Sequence, residues 1–229
     1  NTQIKLGISR KGEQGIVEIT LTRAVIKNPS VKYKLSDAGY PYLRITQFQE
    51  RTGEDLAKAL FAVKEQSPVP LKGLVLDLRN NPGGLVTSAV SVSAAFLKKD
   101  ALIVYSEGRA PDAKMRLFAN PRNYVGDRVE DDYLKDLPSE IKTLPMVVLV
   151  NAGSASASEI VAGALQDHQR AKVLGTQSFG KGTIQTLLPL SSGSAVKLTV
   201  AKYFTPSGRS IQAKGITPDV IVEDPTISV

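Results

Sequence analysis

Residues 146–159 read MVVLVNAGSASASE, and this stretch decides how the middle of the chain folds. It opens with a continuous apolar run of strand length, which is typical of a strand buried on both faces of a parallel sheet. The residues that follow are small and polar, and from Glu159 to Gln169 the pattern is helical. The stretch therefore predicts a buried strand, a tight turn and a helix, with serines where the helix begins.

A second strand-loop-helix unit precedes it. Residues 73–79 (GLVLDLR) read as a short apolar strand, residues 80–84 (NNPGG) as a loop, and residues 86–98 as a helix rich in Ala and Ser. Strands that alternate with helices indicate an α/β core. Because residues 184–190 and 196–204 read as two further strands joined by a short turn, we predict a mixed α/β fold with antiparallel strands added late.

The rest of the chain carries weaker signals. Apolar and polar residues alternate over residues 4–8 and 17–21, which predicts a hairpin. Pro29 and the polar residues around it favour a domain boundary near residues 27–29, after this hairpin. Thr52, with Asp55 three residues later, predicts a capped helix. Residues 107–144 carry mixed charges, Gly and Pro, and we expect loops with a short helix near residues 131–137.

Composition excludes several kinds of chemistry. The chain has no cysteine and one histidine, His168, which rules out a Cys nucleophile, a Cys/His zinc site and any disulfide. The net charge is +7, but the basic residues are scattered, so a solvated surface is favoured over a nucleic-acid or membrane interface. No apolar run reaches the ~18 residues of a membrane span, and we expect a soluble segment without a signal peptide.

Ser156 is a candidate nucleophile. It lies where the predicted strand turns into the helix, beside backbone amides able to stabilise an oxyanion, as in a nucleophile elbow without its usual G-x-S-x-G spelling. The competing interpretation is purely structural, because Ser156 and Glu159 also fit the S-x-x-E capping box. The local pattern leaves both open.

A serine nucleophile needs a base. His168 would lie roughly 18 Å from Ser156 along the same helix, too far to serve. Lys181 remains, because burial disfavours the charged form of a lysine and can free it to accept a proton. It lies between two glycines and near Phe179, which would help to exclude water, and Gln185 would share its face of an extended segment. A solvated loop lysine is the alternative.

Two other interpretations concern the glycine-rich loops. Residues 175–181 (GTQSFGK) match the phosphate-loop pattern, but Gly182 replaces the required Ser or Thr, and the following residues read as strand rather than helix. Nucleotide binding is therefore disfavoured. Gly83 and Gly84 can present backbone amides to an oxyanion, or can simply form a tight turn.

Four ordered motifs resemble those of the C-terminal processing peptidases, also called tail-specific proteases. The motifs are DLRNNPGG, GSASASE, FGKGTIQ and, over residues 203–219, YFTPSGRSIQAKGITPD. The resemblance implies a serine endopeptidase with a Ser/Lys dyad and a supporting Gln, and the family spacing selects Ser156, Lys181 and Gln185. It also implies an oxyanion hole of the Ala157 amide with that of Gly83 or Gly84. No metal or cofactor is implied.

The resemblance also implies a domain organisation and partners. Residues 1–27 would be the last strands of a PDZ domain, and residues 28–229 the protease core, a mixed β-sheet flanked by helices. Expected partners are protein substrates with accessible C-termini, an adaptor protein and further copies of the chain, with no nucleic acid. The expected location is the bacterial periplasm, with association to the membrane. The alternative function is a catalytically silent peptide-binding scaffold on the same fold.

Overall fold

The computed structural model describes residues 2–12, 15–24, 29–109, 113–191 and 193–223. These ranges contain three α-helices and twelve strands. The helices are α1 (Thr52–Gln66), α2 (Val86–Phe96) and α3 (Ala157–Asp167). The strands are β1 (Gln3–Ile8), β2 (Val17–Thr22), β3 (Val31–Lys34), β4 (Tyr42–Ile45), β5 (Leu74–Asp77), β6 (Leu102–Gly108), β7 (Met115–Phe118), β8 (Met146–Val150), β9 (Lys172–Gly175), β10 (Thr183–Pro189), β11 (Ala195–Phe204) and β12 (Val220–Ile221). No helix within the described ranges is long and apolar enough to cross a bilayer.

The larger sheet has six strands in the order β12-β9-β8-β5-β4-β3. All neighbours are parallel except β3 and β4, so the sheet is mixed as predicted. Leu76, Val148 and Val173 of its central strands are fully buried. Because β5 and β8 are parallel neighbours, the loop after β5 and the turn after β8 meet at one edge of the sheet. The strand-loop-helix units predicted at residues 73–98 and 146–169 are thereby brought together.

A second sheet of four antiparallel strands has the order β10-β11-β6-β7. The late strands are thus antiparallel as expected, but they form a sheet of their own. Helix α3 packs against α2 and against β6. Only Ala201–Phe204 of β11 pair with β6, so the outer parts of β10 and β11 extend beyond the body of the sheet.

The chain begins with a hairpin, as the alternating pattern predicts. Strands β1 and β2 pair with each other in a separate two-stranded sheet. The assignment of residues 1–27 to a PDZ domain stays a prediction. The boundary predicted at residues 27/28 lies outside the described residues.

Two sequence predictions are wrong. No α-helix forms over residues 131–137: Asp131 ends a short 3-10 helix, Val129–Asp131, and turns follow it. Asp132 Oδ1 accepts hydrogen bonds from Leu134 N–H at 2.9 Å and the Tyr124 hydroxyl at 2.8 Å, an alternative to helical pairing. Strand β7, earlier in the segment 107–144, was not predicted. Thr52 does not cap α1: Arg51 is the N-cap residue, and the Thr52 hydroxyl accepts from Gln49 N–H at 2.8 Å.

Candidate active site

The three serines of the turn after β8 have different environments. Ser154 and Ser158 are buried. The Ser154 hydroxyl donates to Leu78 O at 2.8 Å, and the Ser158 hydroxyl donates to Asn81 O at 2.9 Å. Both side chains therefore fasten the serine turn to the loop that follows β5.

Ser156 is only partly buried, and its backbone is strained. It is the N-cap residue of α3, with φ 56° and ψ −113°. A positive φ is uncommon for a residue other than glycine, and such strain is concentrated at functional sites. A nucleophile elbow holds its serine on a strained turn of this kind. The structure thus singles out Ser156 on grounds that the local sequence pattern did not offer.

Backbone amides converge beside Ser156. Ala157 is the first residue of α3, where an amide has no acceptor within the helix. Gly83, at φ 96°, is so close that a Cβ on it would lie 2.9 Å from Ala157 N and 2.8 Å from Ser156 Cβ. The Gly83 amide already donates to Asn81 Oδ1 at 2.9 Å, whereas the Gly84 amide donates no hydrogen bond within the described ranges.

Glu159 joins the serine turn to the lysine loop. Its carboxylate is fully buried. Oε2 accepts from the backbone N–H groups of Ser156 at 2.7 Å and Lys181 at 2.9 Å. Oε1 accepts from the Ser178 hydroxyl and from Gly180 N–H, both at 2.6 Å. One side chain therefore fixes the backbone of the candidate nucleophile relative to that of the candidate base.

This role of Glu159 was missed from the sequence, which indicated only the capping box. The predicted capping box is present, and the carboxylate part of it is the hydrogen bond that Glu159 accepts from the Ser156 amide. Capping and the link to the lysine loop are two uses of the same side chain. An acidic residue in an otherwise small and apolar stretch was the available signal, but its partners lie about twenty residues later in the chain.

The lysine side of the site is open. Lys181 and Gln185 are exposed, and within the described residues neither side chain forms a hydrogen bond or an ion pair. The covered environment predicted for Lys181 is therefore absent in this structure. Phe179, expected to exclude water, is 68% exposed, although its N–H donates to Ser154 O at 3.0 Å. The backbone of the lysine loop is fixed while its side chains face solvent.

Two disfavoured interpretations are settled by position. His168 is the C-cap residue of α3, at the opposite end of the helix from Ser156, and its Nε2 lies 2.7 Å from Leu102 O. It is too far from Ser156 to act as its base, as predicted. Residues 175–181 lead into strand β10 rather than a helix, which removes the geometry of a phosphate loop.

The buried carboxylate of Asp77 supports the start of the glycine loop, residues 80–84. Asp77 ends β5, and Arg79 Nε and Nη2 donate to it at 3.0 and 2.9 Å, with a further hydrogen bond from the Tyr42 hydroxyl. Burial by itself raises the pKa of Asp77, but the hydrogen bonds from Arg79 and Tyr42 outweigh it and hold the pKa below its ordinary value. The network fixes the start of the loop that carries Gly83. The sequence did not reveal it.

No group of His, Cys, Asp or Glu side chains among the described residues is arranged to hold a metal ion.

Comparison with known proteins identifies relatives. The sequence model of peptidase family S41 matches residues 39–222. A carboxy-terminal-processing protease of Bartonella bacilliformis is 49% identical over 98% of this chain and 48% of its own length, and a carboxyl-terminal-processing protease of Synechocystis sp. is 40% identical over 100% and 49%. The chain thus spans about half the length of these curated relatives.

A solved structure has the same fold. The photosystem II D1 C-terminal processing protease superposes with a TM-score of 0.68 and 31% sequence identity. The match covers 97% of this chain and 56% of that protein. The mixed α/β architecture predicted from the sequence is confirmed by this match.

Proposed function

This chain belongs to peptidase family S41, and we propose that it is a serine endopeptidase with Ser156 as its nucleophile. The observation that carries the proposal is the contrast among the three serines of one turn. Ser154 and Ser158 are buried and hydrogen-bonded to backbone carbonyls, whereas Ser156 is partly accessible on a strained backbone. Of the three serines, Ser156 alone has the strained backbone that is concentrated at functional sites.

The proposed reaction is acyl transfer. Neutral Lys181 takes the proton of the Ser156 hydroxyl as Oγ attacks the scissile carbonyl carbon. The amides of Ala157 and Gly84 stabilise the oxyanion, and we choose Gly84 over Gly83 because the Gly83 amide is already bonded to Asn81. The tetrahedral intermediate collapses as the lysinium gives its proton to the leaving amine. Water then hydrolyses the acyl-enzyme by the same steps.

The open lysine loop requires a further step. Lys181 acts as a base only when neutral, and exclusion of water favours that form. We propose that the bound substrate supplies the cover that the free chain lacks, and that Gln185 then holds the lysine amine by a hydrogen bond.

Substrates, partners and location are part of the proposal. The names of the Bartonella and Synechocystis relatives support substrates that are processed at their C-termini. We further propose an adaptor protein, assembly of copies of the chain, and a periplasmic location at the bacterial envelope with membrane association. These rest on the family resemblance alone, and cell fractionation with an epitope tag tests the location.

The nucleophile is tested by substitution within the serine turn. Purified parent, Ser156→Ala, Ser158→Ala and Lys181→Ala chains are incubated with casein and with a small fluorophosphonate that labels activated serines. We expect cleavage and labelling by the parent and by Ser158→Ala, although the latter loses a buried hydrogen bond and melts at a lower temperature. Ser156→Ala should neither cleave nor label, and its melting temperature should fall no more than that of Ser158→Ala.

Lys181→Ala tests whether the chain uses a Ser/Lys dyad. The side chain is exposed, so its loss is expected to leave the fold intact and to abolish cleavage. Cleavage by Lys181→Ala at the parental rate would overturn the role of the base. Tail-peptide binding by a parent chain that neither cleaves casein nor reacts with the probe would favour the silent scaffold instead.

A further inference from the structure

The outer part of the β10-β11 pair forms an apolar arm. We define the arm as residues 185–190 and 195–199, which lie beyond the strand pairs that join β11 to β6. Large apolar side chains on it are exposed: Leu187, Leu188, Leu190, Val196 and Leu198. A two-stranded ribbon buries little of its own surface, so exposed apolar residues of this number indicate a surface that binds something.

The edge strand β10 carries no charged side chain to oppose strand pairing. Proteins place charged residues on exposed edges to prevent another chain from adding there. The edge strand β3 of the larger sheet reads VKYK, and β7, at the opposite edge of the same sheet as β10, reads MRLF. Strand β10 reads TIQTLLP and has no charged residue. Its Pro189 lies at the end away from Lys181 and its register shift lies at Ile184/Gln185, so the stretch between them is free of both. It is longer than either of the other two and therefore offers more unpaired backbone.

This uncharged edge begins at the candidate active site. Strand β10 starts two residues after Lys181. The Lys181 amide shares the Glu159 Oε2 atom with the Ser156 amide, so these two backbone nitrogens are no farther apart than the sum of two hydrogen-bond lengths. An extended chain lying along β10 therefore ends beside Ser156.

We propose that an extended, apolar stretch of the substrate polypeptide adds to β10 as an extra strand, and that this pairing leads the scissile bond to Ser156. The inference rests on the proposed peptidase function and names how that site selects its substrate. At about 3.3 Å per residue, β10 matches about seven residues of an extended chain. Backbone hydrogen bonds supply the affinity, and the exposed leucines select apolar substrate side chains.

The docking edge is tested with a matched pair of lysine substitutions. Leu188, on β10, is 45% exposed, and Val220, on the edge strand β12 of the other sheet, is 48% exposed. Leu188 pairs with Val196, so Leu188→Lys places a charge on the edge without a like charge opposite. We expect Leu188→Lys to raise KM for casein at least fivefold with kcat within twofold of the parent, and Val220→Lys to leave both unchanged.

Strand pairing has a signature that apolar contact alone lacks. In a strand, successive residues direct their N–H groups to opposite edges, so only alternate substrate amides face β10. A series of apolar peptides, each with one N-methylated amide, is therefore expected to show raised KM at every second position. A uniform effect, or none, along the series overturns strand addition.

Failure of this inference is distinguishable from failure of the proposed function. The fluorophosphonate probe is too small to need the arm, so Leu188→Lys is expected to label at the parental rate. A labelled, active Leu188→Lys chain with parental KM overturns the docking edge and leaves the peptidase proposal intact. A parent chain that neither labels nor cleaves overturns the peptidase proposal itself.

Discussion

The two sides of the candidate site differ in how completely they are built. On the serine side, Ser154, Ser158 and Asn81 bind the turn after β8 to the loop after β5, and the amide of Ala157 is already in place. On the lysine side, the backbone is fixed by Glu159, but Lys181 and Gln185 are exposed. The candidate nucleophile and the proposed oxyanion donors are thus preorganised, whereas the proposed base depends on what covers it. Substitutions that affect one side more than the other test this difference.

The largest effect is expected at Glu159, whose carboxylate binds backbone amides on both sides of the site. The Glu159 carboxylate accepts four hydrogen bonds, two at each oxygen. In Glu159→Gln an NH2 group replaces one of these oxygens, and as a donor it would face two other donors in a buried space. We expect loss of about 3 kcal/mol in the free energy of unfolding and at least a ~100-fold fall in kcat/KM. Urea titration and casein cleavage measure these.

The matched control is Glu54→Gln. Glu54 is partly exposed and forms an ion pair with Lys58 on the surface of α1. Its loss is expected to cost less than about 1 kcal/mol and to leave cleavage unchanged. Equal losses of stability and of casein cleavage in Glu159→Gln and Glu54→Gln would contradict the linking role of Glu159.

The next effect is on the serine side alone. Gly83→Ala would place a Cβ 2.6 Å from Ala155 O and 2.8 Å from Ser156 Cβ. We expect the serine turn to shift and kcat to fall about 100-fold. Gly12→Ala is the control, because Gly12 has the same φ, 97° against 96°, and a Cβ there meets nothing within 4 Å. Similar losses of activity in both variants would contradict the steric explanation.

A smaller effect, on the free energy of unfolding and dependent on pH, is expected at Asp77. The folded-state pKa of Asp77 lies below its ordinary value of 3.8, so its contribution to stability is complete above about pH 4 and is lost as pH falls through the folded-state pKa. Asp77→Asn is expected to cost about 2 kcal/mol at pH 7. Urea titrations of both chains from pH 7 to pH 3 should show this difference shrinking only below about pH 4; a constant difference would contradict the assignment.

The smallest effect is expected at the far end of α3. His168→Ala removes the contact with Leu102 O and should cost no more than about 1 kcal/mol. Cleavage of casein is expected to stay within twofold of the parent. A large fall in kcat with an unchanged melting temperature would return His168 to the list of catalytic candidates.

Local pattern was sufficient for most of the fold. The apolar run at residues 146–150 coincides with β8, and the helical pattern after it predicted α3 to within two residues at either end. Predictions failed where side chains compete with backbone pairing, as at Asp132, or where a strand is defined by its partner, as for β7. Such contacts are set by the fold and carry no local period.

The candidate site was predicted unevenly for a similar reason. Ser156 and Lys181 were identified by family spacing, whereas the pattern alone left Ser156 between nucleophile and cap. The structure separates it from Ser154 and Ser158 by burial and by φ, which are properties of the folded chain. Glu159 as a link and Asp77 as a support stayed hidden, because their partners become neighbours only when β5, β8 and the lysine loop come together.

Because β5 and β8 are parallel, the loops that carry the candidate site and the segment that connects β7 to β8 lie at opposite ends of these strands. The loops that follow these strands carry the site, whereas residues 119–145 lead into the opposite end of β8 at Met146. Within that connecting segment, Leu134 and Ile141 belong to the core and must be kept, whereas residues 126–131 are all exposed. A reporter or a targeting module grafted at residues 126–131 is therefore expected to leave Ser156 in place.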